Sequence, residues 1–358
     1  MSPPGRPKGE YRSAQHEGTP VSHEVRIAGS DIRFPCASGE TLLDAALHAG
    51  IEMPYSCRKG VCGNCAGRVT AGSVKCPPSS AAEVAEGQHL FCQCTAEGDV
   101  EIAPHSYHRI DPSARKRYTA KVYRNQRVAE DVNLLQLRLP AGQRARFKAG
   151  QYLQLTLPDG SRRSYSLANP PHESDSLSLH VRHVPGGQFT RIVPTLAPGD
   201  TLQVELPYGN FELREEASAP LVFVAGGTGF APVKSVIDDI AKRRIERPVT
   251  LFWGARTRDG IYLPSAVERW QKALPNFTFH AVVEDAAGAH AMTPTAFVGR
   301  VDGALRAHCP TLAGHEVYCC GAPPMVTAVR HVCVGELALD AGHFFSDVFV
   351  PGPAAAPL

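Results

Sequence analysis

The amino-acid sequence predicts a multidomain fold: an α+β unit, then an antiparallel β-barrel, then a parallel doubly wound α/β domain. Three observations carry this expectation. Cysteines crowd the first part of the chain, period-two alternation with Gly and Pro turns fills the middle, and from Pro220 continuous apolar runs alternate with helical patterns. At roughly 100–200 residues per domain, 358 residues suit two or three domains.

Residues 1–21 are rich in Pro, Gly and charge and read as a disordered tail. Residues 22–106 form the first unit. VRIAGSDIRF alternates apolar and polar residues around a Gly-Ser-Asp turn, the pattern of a hairpin. GETLLDAALHAG places Leu43, Ala46 and Leu47 on one helical face closed by Gly50. The cysteine loop CRKGVCGNC follows, and LFCQC with the apolar DVEI completes the unit. A polar, basic linker is expected over 107–116.

Residues 117–214 carry the barrel. Leu135, Leu137 and Leu139 alternate with polar residues, as do Leu153, Leu155 and Leu157, then Leu177, Leu179 and Val181, then Leu202, Val204 and Leu206. Half-buried strands separated by regular turns suit antiparallel closure. Residues 215–358 change period. LVFVA suits a strand buried on both faces. Val233, Val236, Ile237 and Ile240 then recur at helical spacing, and VTLFWGA, FTFHAVV and HEVYCCG supply further strands.

Composition narrows the functional classes. A net charge of +2 argues against nucleic-acid or anionic-membrane partners. No apolar run approaches the ~20 residues of a membrane helix, and MSPPGRPKGE lacks a signal-peptide core. A cytoplasmic monomer with reduced thiols is expected. Of 11 cysteines, seven lie between Cys36 and Cys94 and four in the last fifty residues, so clustered metal or redox chemistry is favoured over stapling.

Cys57-x4-Cys62-x2-Cys65, with a later thiol at Cys92 or Cys94, has the plant-type [2Fe–2S] spacing, whereas structural zinc favours C-x2-C pairs at both ends. Gly60 and Gly63 suit a tight loop whose amides face the sulfurs. YSCRKGVCGNC and LFCQCTAEGDV resemble the plant-type ferredoxin family over residues 22–106. That family's last ligand precedes the closing Asp-Val by seven residues, which implies Cys92 as the fourth ligand, before Asp99-Val100. Cys36, Cys76 and Cys94 then read as ordinary small residues, and Arg58 and Lys59 as candidate docking charges.

Arg163-Ser164-Tyr165-Ser166 offers a guanidinium fork for phosphate, a flat ring and small hydroxyls. VRHVPGGQFT follows, and its Gly186-Gly187 turn allows backbone amides to approach an anion. This arrangement resembles the flavin-binding signature of the ferredoxin–NADP reductase family. The resemblance implies that Arg163 and the turn Gly186, Gly187, Gln188, Phe189 and Thr190 hold the FAD diphosphate. It further implies Tyr165 against the flavin, Ser166 near N5, and His180 and Val181 along the cofactor.

AGGTGFAPVKS places Gly226, Gly227, Thr228 and Gly229 before a helix, a dinucleotide site. Pro232 stands where a third glycine is usual, and the same family's G-G-T-G-x-A-P form accounts for it. In CCGAPPM, Cys320-Gly321 resembles the family motif beside the transferring hydride. Ser346–Phe349 resembles its acidic-x-aromatic terminus, with Asp347 the acid and Phe349 the stacking ring. Arg256 and Arg258 are candidates for a 2′-phosphate, and NADH is preferred over NADPH.

The order of the blocks resembles reductase components of bacterial oxygenases, with CGAPPM and HFFSDVFVPG most like the naphthalene dioxygenase reductase family. This implies hydride transfer from NAD(P)H to FAD, then single electrons to [2Fe–2S] and on to a ferredoxin or terminal oxygenase. Ser166, Cys320, Asp347 and Phe349 are the implied catalytic set. A reductase for a diiron hydroxylase or a deoxysugar-forming dehydratase is the alternative within the class. A redox carrier or sensor without turnover is the rival outside it.

Overall fold

Strand Ser22–Ile27 turns back on Arg33–Ala37 with Val25 opposite Phe34, the hairpin expected from the alternation. Val100–Pro104 joins the first strand in parallel, and Ala66–Ala71 and Gln88–Leu90 complete a five-stranded sheet. The helix Leu42–His48 lies across it. Thr41 caps that helix by accepting from the Asp44 amide, and Leu42, Leu43, Ala45, Ala46 and Leu47 are buried. The chain is described here by a computed structural model over residues 22–77, 84–111, 115–286 and 296–350. The expected tail at 1–21 and positions 112–114 of the expected linker lie outside the described residues.

Two local features differ from expectation. His108–Arg109 pairs antiparallel with Ile51–Glu52, so two residues of the 107–116 segment form a short strand against the first domain. Cys76 and Cys94, expected as ordinary reduced residues, form a disulfide. Pairing of Val74–Lys75 with Thr95–Ala96 brings their Cα atoms to 4.3 Å, a contact that linear spacing does not reveal.

The middle of the chain forms a six-stranded antiparallel sheet in the order Arg162–Ser166, Tyr152–Thr156, Thr201–Tyr208, Lys116–Ala129, Val132–Arg138, Ser176–Arg182. A bridge between Leu167 and Leu179 brings its two edges together into a barrel. The alternating leucines point inward: Leu135, Leu137, Leu153, Leu155, Leu177 and Leu179 are fully buried in one core.

The last domain is a six-stranded, all-parallel sheet in the order Phe297–Val298, Phe277–Val283, Val249–Ala255, Leu221–Gly226, Glu316–Gly321, Phe344–Val348. Leu221 to Ala225 are buried on both faces, and Val233, Val236, Ile237 and Ile240 of helix Phe230–Arg243 pack beneath them. Chain order reverses on either side of Leu221–Gly226, which opens the ligand crevice of such sheets at its C-terminal end. The segment expected as a flavin-covering terminus is itself an edge strand, Phe344–Val348, in parallel register with Val317–Gly321.

Candidate electron-transfer site

The cysteine loop is shaped by glycine. Gly60 and Gly63 have φ of +70° and +78°, a region costly for other residues. Backbone amides of Lys59 and Val61 point at Cys57 Sγ at 3.3 and 3.4 Å. Cys57, Cys62, Cys65 and Cys92 are all free thiols. They interact in pairs. The Cys62 thiol pulls Cys57 below the usual thiol range and the Cys65 thiol does the same to Cys92, while Cys62 and Cys65 are pushed up by the same contacts and by burial. Four converging sulfurs faced by amides fit a [2Fe–2S] cluster. Cys94 is spent in the disulfide, which leaves Cys92 as the available fourth thiol. Arg58, expected as a docking charge, pairs with Asp44 of the neighbouring helix.

On the barrel, Arg163 donates to Gln188, tying the R-S-Y-S strand to the Gly186–Thr190 turn. Thr190 Oγ1 donates to the carbonyls of Val184 and Gly187, which fixes that turn. The Tyr165 ring lies 5.2 Å from that of Phe189 at a tilt of 58°. Ser164 faces solvent and Ser166 is buried. The side chains of Val181 and Phe189 belong to the barrel core, so only their backbone groups are left to face a ligand. His180 is buried against Tyr262, 2.9 Å from its hydroxyl, and burial pushes its imidazole down to about 3.

On the sheet, the loop Gly226–Gly229 packs under the barrel edge. A Cβ on Gly229 would lie 2.2 Å from the Cys320 carbonyl oxygen, and one on Gly227 2.5 Å from the Arg182 guanidinium. Pro232 is buried in the first turn of the following helix. Trp253 Nε1 donates to the Gly227 carbonyl, and its ring stacks on Phe230 at 3.6 Å. Arg256 is 83 % exposed and 3.9 Å from Asp131 of the barrel.

All three domains meet at the last strand. Cys320 and Asp347 are register partners on adjacent strands. Ser166 Oγ donates to Asp347 Oδ2 at 3.4 Å, and Ser56 Oγ, beside Cys57, donates to Asp347 Oδ1 at 2.8 Å. Asn64 Nδ2 donates to the Ser346 carbonyl at 2.7 Å, and Ser346 Oγ donates back to Asn64 Oδ1 at 3.0 Å. Burial raises the Asp347 carboxyl above its usual range, against the pull of Ser56, Ser166 and the Val348 amide. Burial, and then Asp347, raise the Cys320 thiol. The Phe349 amide donates to the Gly321 carbonyl at 2.9 Å, and its ring packs on the core. Sequence reasoning missed Ser56, Asn64, Asp131 and Arg182. Arg182 stands inside the quoted VRHVPGGQFT, whereas the contacts of Ser56 and Asn64 span nearly 300 positions.

A thiolate loop, a flavin-type barrel and a nucleotide-type sheet that converge on one carboxylate define an electron-transfer oxidoreductase. Comparison with known proteins agrees. Residues 25–97 match the 2Fe-2S iron-sulfur cluster binding domain, 119–213 the oxidoreductase FAD-binding domain and 223–331 the oxidoreductase NAD-binding domain. The chain is 53% identical over 336 residues to reductase component 2 of terephthalate 1,2-dioxygenase from Comamonas sp., covering 93% of this chain and 99% of that one. It is 36% identical to the CDP-6-deoxy-L-threo-D-glycero-4-hexulose-3-dehydrase reductase of Yersinia pseudotuberculosis, over 92% of this chain and 99% of that one. Among solved structures, the Amycolatopsis cytochrome P450 reductase GcoB superposes with a TM-score of 0.72 at 31% identity, covering 92% of this chain and 99% of that one.

The chain belongs to the family of three-domain reductases that join a [2Fe–2S] domain to FAD- and NAD-binding domains. It is an NAD(P)H-dependent electron-transfer oxidoreductase with [2Fe–2S], FAD and NAD(P)H as its cofactors. Among the described residues no helix is long and apolar enough to cross a membrane.

Proposed function

We propose that this protein is the reductase component of an aromatic-ring dioxygenase, delivering electrons to a ferredoxin or oxygenase component. The observation that carries the reading is the 53% identity, over 93% of the chain, to a terephthalate dioxygenase reductase component. It favours a terephthalate-type system over the naphthalene-type one suggested by the C-terminal motifs. The 36% identity to the hexulose dehydrase reductase leaves a deoxysugar system the weaker reading. The working units proposed are 22–106, 117–214 and 215–358.

When bound, NAD(P)H supplies a hydride, FAD accepts it, and [2Fe–2S] passes electrons on singly. The chain's residues bind, orient and shield those groups. Cys57, Cys62, Cys65 and Cys92 hold the cluster, and the amides of Lys59 and Val61 offset the thiolate charge. Arg163 and the Gly186–Thr190 turn would bind the FAD diphosphate, and Tyr165 and Ser166 would line its ring system. Gly226 to Gly229 bind the nicotinamide nucleotide, and Cys320 with Gly321 aligns its ring. Proximity and orientation supply most of the rate. The buried Asp347 takes up a proton more readily than an ordinary carboxylate and stabilises charge beside Ser166, and Phe349 excludes water. Asp131 pairs with Arg182 at 3.1 Å and only approaches the exposed Arg256, at 3.9 Å, and NADH is the donor proposed.

The test reconstitutes the purified holoprotein with NADH and either a terephthalate-type oxygenase component or a naphthalene-type ferredoxin and oxygenase. Ring dihydroxylation with the first set and at most a few per cent of that rate with the second is expected. Turnover only with the naphthalene-type set, or with neither, contradicts the reading.

A further inference from the structure

We infer that Asn64 positions the cluster loop on the final strand, so that electrons cross from flavin to cluster in one docked arrangement. The inference rests on the electron path above and assigns a role to residues that path does not name. Asn64 lies between the ligands Cys62 and Cys65. Its side chain makes a reciprocal pair with Ser346, donating from Nδ2 to the Ser346 carbonyl at 2.7 Å and accepting at Oδ1 from Ser346 Oγ at 3.0 Å. Ser56, which precedes the ligand Cys57, extends the contact. The Val348 amide donates to Ser56 Oγ at 2.6 Å, and Ser56 Oγ donates to Asp347 at 2.8 Å.

Both ends of the three-cysteine loop are therefore pinned to three consecutive residues, Ser346, Asp347 and Val348. The middle residue of those three also accepts from Ser166 of the barrel. Cys57 and Cys62 themselves pack against the apolar cluster under the nucleotide sheet. An amide held by two opposed hydrogen bonds fixes direction as well as distance. Any shift of this seam therefore moves the cluster ligands relative to Ser166 and the flavin edge it faces.

The electron balance defines what the seam must support. A hydride received at the flavin leaves it as one proton, released to solvent, and two electrons. Each electron reduces the oxidised cluster by one unit, and the external acceptor empties the cluster between the two transfers. Asn64 exchanges neither proton nor electron; it sets the separation across which each electron moves.

The test is anaerobic stopped-flow of the full-chain holoprotein mixed with NADH, following the flavin and cluster bands separately. Asn64→Ala is expected to leave flavin bleaching within about twofold of wild type and to slow cluster reduction by about tenfold, as both hydrogen bonds of the reciprocal pair are lost. Ser346→Ala, which leaves the cysteine loop untouched, is expected to slow the same step by a smaller factor of roughly three, as one hydrogen bond is lost. It carries the test if Asn64→Ala loses iron. Hydrogen exchange of the oxidised holoprotein should rise at amides 55–65 in both variants. The inference is overturned if both iron-replete variants reduce the cluster at the wild-type rate, or if flavin and cluster slow together. A wild-type protein whose flavin does not bleach with NADH fails the underlying reading instead.

Discussion

Ser56 and Asp347 lie 291 positions apart, yet Ser56 Oγ donates to Asp347 Oδ1 at 2.8 Å. One hydroxyl belongs to the loop that presents the cluster thiols. The carboxylate belongs to the edge strand beside Cys320, and its other oxygen accepts from Ser166 of the barrel. A single buried acid therefore touches the neighbours of all three cofactor sites, and its removal should affect more than one step.

Asp347→Ala is expected to lower the rate of flavin reduction by NADH about 10²-fold, the scale of losing one oriented electrostatic group. Asp347→Asn keeps an acceptor for one of the two hydroxyls and turns its NH2 to the other, and should lose only about tenfold. Stopped-flow bleaching of the flavin band measures both. Equal rates for Asp347→Ala and wild type would remove Asp347 from the catalytic set.

The cysteines separate cluster from disulfide. Cys57→Ser, Cys62→Ser, Cys65→Ser and Cys92→Ser should each abolish the cluster while FAD stays bound, as read by iron content and the visible spectrum. Cys94→Ser should retain the iron. It should also cost the first domain about 3 kcal/mol, because the bond with Cys76 closes a loop of 18 residues. Iron loss in Cys94→Ser with retention in Cys92→Ser would exchange the two roles.

What was legible in the sequence follows from how each signal is encoded. The alternating leucines of the barrel and the helical repeat Val233–Ile240 are local patterns, and each appears in the structure as read. The edge strand Phe344–Val348 was missed because its five residues, FFSDV, show no alternation: four of the five are buried. The Cys76–Cys94 bond depends on the pairing of two two-residue strands too short to show a period. Ser56 and Asn64 carry no pattern at all; their partners lie at the far end of the chain, and only the docking of the first domain reveals them.

Gly229→Ala tests the close approach of the nucleotide loop to the Cys320 strand. Its Cβ would come within 2.2 Å of the Cys320 carbonyl oxygen and 2.6 Å of its carbon, so backbone must shift. A loss of about 1–3 kcal/mol in stability is expected, with a raised KM for NADH and the cluster spectrum unchanged. Thermal unfolding and steady-state kinetics report the two effects. An unchanged KM would place the nucleotide elsewhere.

His180 gives a pH dependence with a defined sign. Burial holds it neutral in the folded protein, with its folded value lowered from 6.5 to about 3. Its contribution is therefore fully present above about pH 6.5 and is lost as pH falls toward 3, because the unfolded chain takes up a proton that the folded one refuses. At pH 5 this amounts to roughly 2 kcal/mol. Urea unfolding at neutral pH and at about pH 5 should show a smaller acid loss in His180→Gln than in wild type. An equal loss in both contradicts the assignment.

The central claim is that electrons enter at the flavin and leave through the cluster. An anaerobic single-turnover mixing of the holoprotein with one equivalent of NADH tests it most directly, with the flavin and cluster bands resolved in time. The account predicts that the flavin bleaches first and the cluster follows, and that a Cys92→Ser protein shows the first phase without the second. Cluster reduction at full rate in a flavin-depleted protein, or flavin bleaching that never passes to an intact cluster, would contradict it.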